Sequence, residues 1–479
     1  MTTKKTESIN RKEPGYRDLK ERLGDFKEVE RMLTTVEVRE QAARCMSCGT
    51  PFCHGYACPL ANIIPEINEL ITEDRWKEAL ELLLSTHPFP EFTARICPAL
   101  CEGSCVKGIN EQPVAIRQIE KIIVETGFAK GWIRPRLSLN RRSESIAVIG
   151  AGPAGLAAAD SLNNYGFKVT VFEKELNPGG LLLYGIPNFK LEKDIVNRRI
   201  NLMREEGIVF ECGVTVGRDI SFNYLKKRFS AVLLTGGTQQ PRDINIPGRE
   251  LKGIIFAMQF LKAQNKKIIG EPLAPGEDIT AEGKKVVIIG GGDTGSDCLG
   301  TALRQGAKEV YQFEILPRPP ELRPEDNPWP LWPQIDRVSS SHLEGGIRRW
   351  SVTTKKFEGD SKGRLKRLQC MEVEWLHKEG RQVPVEIEGS SFMVEADLAI
   401  LAMGFLGPGP DPLADQLDLK RDQRGNIAVD ANHMTEISGI FSAGDMARGQ
   451  SLVVKAMADG KVAADSIKVF IDSEHQERS

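Results

Sequence analysis

At 479 residues the chain exceeds what one ordinary core fills, so two or three domains are expected; 41% hydrophobic and 27% charged residues place it among globular proteins rather than disordered ones. A formal net charge of −2 argues against a nucleic-acid partner. The longest apolar stretch, Ile146 to Ala159, contains Pro153 and three glycines and falls short of the ~18 residues that span a bilayer, so no membrane role is expected. The N-terminus lacks the apolar run of a signal peptide, which leads to the expectation of a cytoplasmic protein.

Residues 1–40 are highly charged and read as a partly helical, surface-exposed lead-in. Seven of the ten cysteines then follow between Cys45 and Cys105, in two runs. The first is Cys45-x2-Cys48-x4-Cys53-x4-Cys58 and the second is Cys97-x3-Cys101-x3-Cys105. In a long chain without an export signal such a cluster points to metal binding rather than to disulfides. Cys45-x2-Cys48 alone could be half a zinc site. Seven thiolates, however, suit two [4Fe–4S] cubanes with one further ligand that is not cysteine. Between the runs, Ile63, Ile64, Ile67, Leu70 and Ile71, then Trp76, Ala79, Leu80, Leu83 and Leu84, predict helix from about Asn62 to Leu84. A second helix is predicted from about Val114 to Thr126, and the basic stretch Lys130–Glu144 reads as a linker. His54 and His87 lie near the cysteines, and surface or supporting positions are expected for both.

Beyond the linker the texture changes to Val- and Ile-rich strands, glycine turns and helices, and this pattern occurs twice. Ser145–Ile149 leads into Gly150-Ala151-Gly152-Pro153-Ala154-Gly155 and an Ala-rich helix, and the strand Lys168–Phe172 ends at Glu173. The G-x-G-x-x-G spacing gives Gly150 to the tight turn, Gly152 to the approach of a pyrophosphate and Gly155 to close helix–strand packing; Glu173 suits an adenosine ribose. The second copy is Val286–Ile289 followed by Gly290-Gly291-Gly292-Asp293-Thr294-Gly295, with Val310–Phe313 closed by Glu314. An acidic residue at that strand end repels a 2′-phosphate, so NADH is favoured over NADPH. Pro317 to Pro333 carries seven prolines with Trp329 and Trp332 and must be irregular: a surface excursion, a cofactor lid or a docking loop.

Gly439-Ile440-Phe441-Ser442-Ala443-Gly444-Asp445 resembles the second flavin motif of the two-dinucleotide flavoproteins, in which the Asp binds FAD. Ala231–Gly237, with Gly236, and Leu398–Gly404 resemble that family's domain crossovers. The resemblance implies FAD at the first fingerprint and NAD(P)H at the second, with Gly179-Gly180-Leu181 and Tyr184–Pro187 on the flavin side.

Almost the whole chain resembles the glutamate synthase small-subunit family, a module similar to the N-terminal part of dihydropyrimidine dehydrogenase. The likeness is carried by Cys45–Cys53, Phe89–Thr93, Cys97–Cys105, both fingerprints and Ala443-Gly444-Asp445-x4-Gln450-Ser451-Leu452. It implies that ligands cross between the cysteine runs, with Cys45, Cys48, Cys53 and Cys105 on one cluster and Cys58, Cys97, Cys101 and Glu120 on the other. It also implies FAD, NAD(P)H and two [4Fe–4S] clusters as cofactors, no catalytic side chain, and a large subunit or other redox partner that receives the electrons. Many NADPH-using members carry Tyr-Arg-Arg where this chain has Glu314-Ile315-Leu316, and Asn327-Pro328-Trp329-Pro330 resembles a branch with NADH-linked forms.

The expected fold is α/β: two Rossmann-like dinucleotide-binding domains, one inserted in the other, preceded by a mostly helical iron–sulfur domain. The expected bounds are 1–140 for the cluster domain, 141–280 with 405–479 for FAD, and 281–404 for NAD(P)H. Rival functions are a ferredoxin–NAD(P)H oxidoreductase, the electron-input part of a dihydropyrimidine dehydrogenase, and a zinc-stabilised nucleotide-binding scaffold.

Overall fold

Apolar residues at helical spacing build the first unit. Ile64, Ile67 and Ile71 on Ile64–Thr72 meet Leu80 and Leu83 on Trp76–Thr86 and Ile116, Ile119 and Ile123 on Ile116–Ala129, forming one buried cluster. The computed structural model describes residues 9–138, 140–378 and 380–478. The helix expected from 62 to 84 is two helices, because Glu73–Arg75 break it with Asp74 at φ 63°. Thr34 and Glu37 form a reciprocal cap at the start of Thr35–Ala42. The lead-in is not confined to the surface, and its first eight residues lie outside the described ones. Glu28 and Glu30 reach inward to the buried Lys121 ammonium, at 2.7 and 3.0 Å, and Glu30 also pairs with Arg117.

The first fingerprint sits in a five-stranded parallel sheet ordered Ile440–Ser442, Ala231–Leu234, Ser145–Ile149, Lys168–Glu173, Val209–Cys212. The C-terminal helix Val453–Arg478 lies along the fingerprint helix Pro153–Asn164. The two approach so closely that a side chain on Gly460 would stand 2.2 Å from the Ala154 carbonyl. The second fingerprint sits in a second parallel sheet, ordered Ile254–Phe256, Leu398–Leu401, Lys285–Ile289, Glu309–Phe313, Ile347–Arg349. The architecture is therefore α/β with one Rossmann unit inserted in another behind a helical cysteine-bearing unit.

The expected boundary at residue 281 does not follow the sheets. Ile254–Phe256 and the helix Ala257–Ile268 belong to the second sheet's core, so the inserted unit begins before them. Its two crossovers are joined where Gln240–Pro241 pairs antiparallel with Phe405–Gly407. An antiparallel meander of Val352–Gly359, Leu365–Lys378, Arg381–Glu386 and Phe392–Glu395 is added between Ile347–Arg349 and Leu398–Leu401. Among the described residues no helix is long and apolar enough to cross a membrane.

Candidate functional site

Gly150 takes φ 108°, and a Cβ there would meet the Thr235 carbonyl oxygen at 2.6 Å. A Cβ on Gly155 would meet the Gly150 carbonyl oxygen at 2.0 Å, which is the close helix–strand approach the motif requires. A Cβ on Gly152 would meet nothing within 4 Å. That open cradle faces the start of the helix Pro153–Asn164, which has no side-chain cap and so leaves backbone N–H groups for an anion. Gly180 closes one wall, its missing Cβ 2.7 Å from the Gly152 Cα, and Leu181 beside it is half-exposed. Gly444 closes another, 2.6 Å from the Ala154 Cβ, and starts the short helix in which Asp445 accepts from Ser451 Oγ at 2.7 Å. Burial pushes the Asp445 carboxyl up, as it does that of Glu173. Glu173 accepts from the Ala151 and Glu175 N–H groups at 2.9 Å, so backbone donors aim it at the edge of the cradle.

Gly236 donates to Met446 Sδ at 3.3 Å, and Gly404 lies at the other crossover against Gln450, whose Oε1 accepts from the Phe405 N–H at 3.0 Å. Thr235 had drawn no attention by itself, although it lies in the crossover run. Its hydroxyl lies within hydrogen-bonding distance of the Ile149 and Gly150 carbonyls and holds the fingerprint turn in place.

The second fingerprint repeats the arrangement. Gly290 has φ 127° against Ala402, Gly295 packs on Gly290, and the space around Gly292 is open where Asp293 and Thr294 begin the helix Asp293–Arg304. Glu314 accepts from the Gly291 N–H at 2.8 Å and the Leu316 N–H at 2.9 Å.

The cysteines fall into two groups. Burial, then the charges of Cys105, Cys45 and Cys48, push the Cys53 thiol up to about 12. Cys48 is raised by burial and by Cys45 and Cys105. The second group has a carboxyl beside it. Burial and the neighbouring Glu120 push Cys58 up to about 11, and Cys101 is raised well above the thiol range by burial, Glu120, Glu102, Cys58 and Cys97. Cys97 is likewise raised to about 11, first by burial. Cys53 and Cys105 lie in the helical unit's core, whereas Cys58 and Cys97 pack against the core of the first Rossmann unit.

Glu120 is not a solvent-facing helix residue. It is 7% exposed, because it shares a helix face with Ile116 and Ile123, and burial pushes its carboxyl up to about 7. The donor set suits an iron–sulfur centre: clustered thiols with a carboxyl among them, and the Cys97 sulfur accepts from the Ala99 N–H at 3.4 Å. Among the described residues no three His, Cys, Asp or Glu side chains converge as a single zinc ion would need. His54 does take a supporting position, its Nδ1 2.8 Å from the Asn62 carbonyl, but His87 is buried in the protein rather than on its surface.

Two family models match the chain. Residues 144–460 match pyridine nucleotide-disulphide oxidoreductase, and residues 22–132 match dihydropyrimidine dehydrogenase domain II, 4Fe-4S cluster. The chain is 50% identical over 465 residues to the glutamate synthase (NADPH) small chain of Mycobacterium tuberculosis, covering 96% of this chain and 94% of that one. It is 46% identical over 468 residues to the glutamate synthase (NADH) of Schizosaccharomyces pombe, covering 95% of this chain and 22% of that protein. Among solved structures, Mycobacterium tuberculosis FprA in complex with NADPH shares the fold at a TM-score of 0.56 and 20% identity, over 70% of this chain and 86% of that one.

Proposed function

The chain belongs to the glutamate synthase small-chain family, and from that premise we propose that it is the electron-input subunit of such an enzyme. When bound, FAD would supply the conversion of a hydride from NAD(P)H into single electrons, and two [4Fe–4S] clusters would supply their route to a large subunit that makes L-glutamate from L-glutamine and 2-oxoglutarate. The protein's own part is to bind, space and insulate these groups, and no side chain need act as nucleophile or general base.

Gly150, Gly152, Pro153, Ala154 and Gly155 would cradle the FAD pyrophosphate. Glu173 would meet its ribose, and Gly180, Leu181, Gly236, Gly444 and Asp445 would line the rest, with Gly404, Gln450 and Ser451 at the crossover. Gly290, Gly292, Asp293, Thr294 and Gly295 would take the nicotinamide dinucleotide. Cys58, Cys97, Cys101 and Glu120 would hold the cluster on the flavin side. Cys45, Cys48, Cys53 and Cys105 would hold the one from which the partner is served. The carrying observation is that the thiols divide into these two groups and that two members of the second, Cys58 and Cys97, pack against the flavin unit's core, as none of the first does.

The proposed donor is NADH. Glu314 is aimed by two backbone N–H groups where a 2′-phosphate would lie, and its carboxylate would repel that phosphate while accepting from a free 2′-hydroxyl. Anaerobically purified protein should contain flavin, iron and acid-labile sulfide and bleach faster with NADH than with NADPH. With the large subunit added, it should support glutamine-dependent glutamate formation. Protein without labile sulfide would sink the cluster assignment, and faster bleaching by NADPH would sink the role given to Glu314.

A further inference from the structure

We infer that Asn62 is a positioning residue that holds the Glu120 carboxylate in place for the flavin-side cluster. This rests on the reading of Glu120 as a ligand. Asn62 lies in the loop between the turn Cys53–Ala57 and the helix Ile64–Thr72, and it is 2% exposed. Three of its polar groups are engaged across the fold. The side-chain Nδ2 donates to Glu120 Oε1 at 2.9 Å, and Oδ1 accepts from Thr86 Oγ1 at 3.1 Å. The backbone carbonyl lies 2.8 Å from His54 Nδ1.

As an iron ligand Glu120 is ionised, and an ionised carboxylate accepts and does not donate, so the NH2 end of the amide must face it and the Thr86 hydroxyl then finds the oxygen end. The Glu120 charge is one that Cys58, Cys97 and Cys101 all sense. A carboxyl on a helix has rotamer freedom that an iron ligand must give up. A buried donor locked from behind removes that freedom before the cluster arrives. Asn62 thus acts on one member of the group from outside both cysteine-bearing runs' ligand positions.

The test uses the full chain, prepared anaerobically, as Asn62→Asp, Asn62→Leu, Thr86→Val and Glu120→Ala variants beside the unaltered protein. The readouts are iron and sulfide per flavin, electron paramagnetic resonance of the reduced protein, and the midpoint potential of each cluster. Asn62→Asp keeps the size but sets two carboxylates face to face. It and Asn62→Leu are expected to alter the spectrum and potential of one cluster, or to halve the iron, while the other cluster stays as it was. Thr86→Val, which only unlocks the amide from behind, should give a smaller change in the same cluster. If both Asn62 variants match the unaltered protein while Glu120→Ala does not, the positioning role falls and the ligand reading stands. If Glu120→Ala also matches, the ligand reading itself falls. A change shared equally by both clusters overturns the proposal as a merely structural effect. Should the Asn62 variants fail to fold, an unchanged cluster in Thr86→Val overturns it instead.

Discussion

His87 is held neutral by its burial, and two hydrogen bonds fix its tautomer. The Phe89 N–H donates to Nδ1 at 3.2 Å, so the ring proton sits on Nε2, which reaches Thr93 Oγ1 at 2.6 Å. Burial, then the charges of Lys461 and Arg199, push its pKa down to about 3, against about 6.5 for a free histidine. Between these values the unfolded chain binds a proton that the folded one refuses. Stability from this group is therefore complete above pH ~6.5 and is lost as pH falls, at about 1.4 kcal/mol per unit. His87→Gln should be less stable at neutral pH but lose stability more slowly between pH ~6.5 and ~5. Urea midpoints at several pH values, taken under anaerobic conditions, measure the two slopes. Other acid-sensitive groups act on both proteins alike, so equal slopes would refute a buried neutral ring. The residue also shows what the sequence could not: proximity to cysteines left a surface or a supporting position open, whereas the ring is buried against Thr93 and senses Lys461 on a helix from the far end of the chain.

At the scale of elements, the proline-rich strap running from Pro317 to Pro333 leaves the inserted unit and lies on the cysteine-bearing turn. Ser104 Oγ donates to the Pro330 carbonyl at 2.7 Å, and the Trp329 ring meets Phe52 at 4.6 Å between centroids. Trp332 covers Gly103, between Cys101 and Cys105, so closely that a Cβ there would stand 2.8 Å from Trp332 Cε3 and 3.1 Å from Pro333 Cδ. Gly103→Ala should therefore lift the strap, cost about 1–3 kcal/mol as overpacking does, and speed cleavage by a glutamate-specific protease after Glu321 and Glu325. Unchanged cleavage and melting would show that the strap does not depend on this seat. The strap's irregularity was legible because proline acts locally, but its seat was not, since Gly103 and Trp332 meet only in the tertiary fold. The same division runs through the molecule. Both fingerprints were legible because strand, turn, helix and closing Glu are contiguous. The burial of Glu120 could have been read from its spacing to Ile116 and Ile123. The strand Ile254–Phe256 carries too few residues for a periodicity, and the meander of Val352–Glu395 alternates charged and apolar side chains without a motif to mark it.

Across the whole molecule, the three units meet at a buried charge cluster. Arg304 and Glu344 of the inserted unit pair at 2.5 and 2.9 Å with both side chains fully buried, and Arg22 from the cluster-bearing end joins Glu344 at 3.3 Å. From the flavin unit, the Phe189 ring lies 3.9 Å from the Arg304 guanidinium, and Lys190 pairs with Asp297. Such pairs add little net stability, because desolvation offsets the attraction, but they are costly to break from one side. Glu344→Gln leaves two guanidinium groups facing each other and should cost about 3–5 kcal/mol in urea unfolding. Replacing both partners with apolar side chains, Arg304→Met with Glu344→Leu, should recover most of that loss, and a double-mutant cycle measures the coupling. If stability alone were at stake, the recovered double variant would also accept hydride from NADH at the original rate. The cluster instead joins an element from each unit, so the double variant should remain stable yet reduce its flavin more slowly, because the nicotinamide-binding unit is then held less firmly over the flavin unit. Full recovery of both stability and flavin reduction would show that the charges are dispensable for alignment.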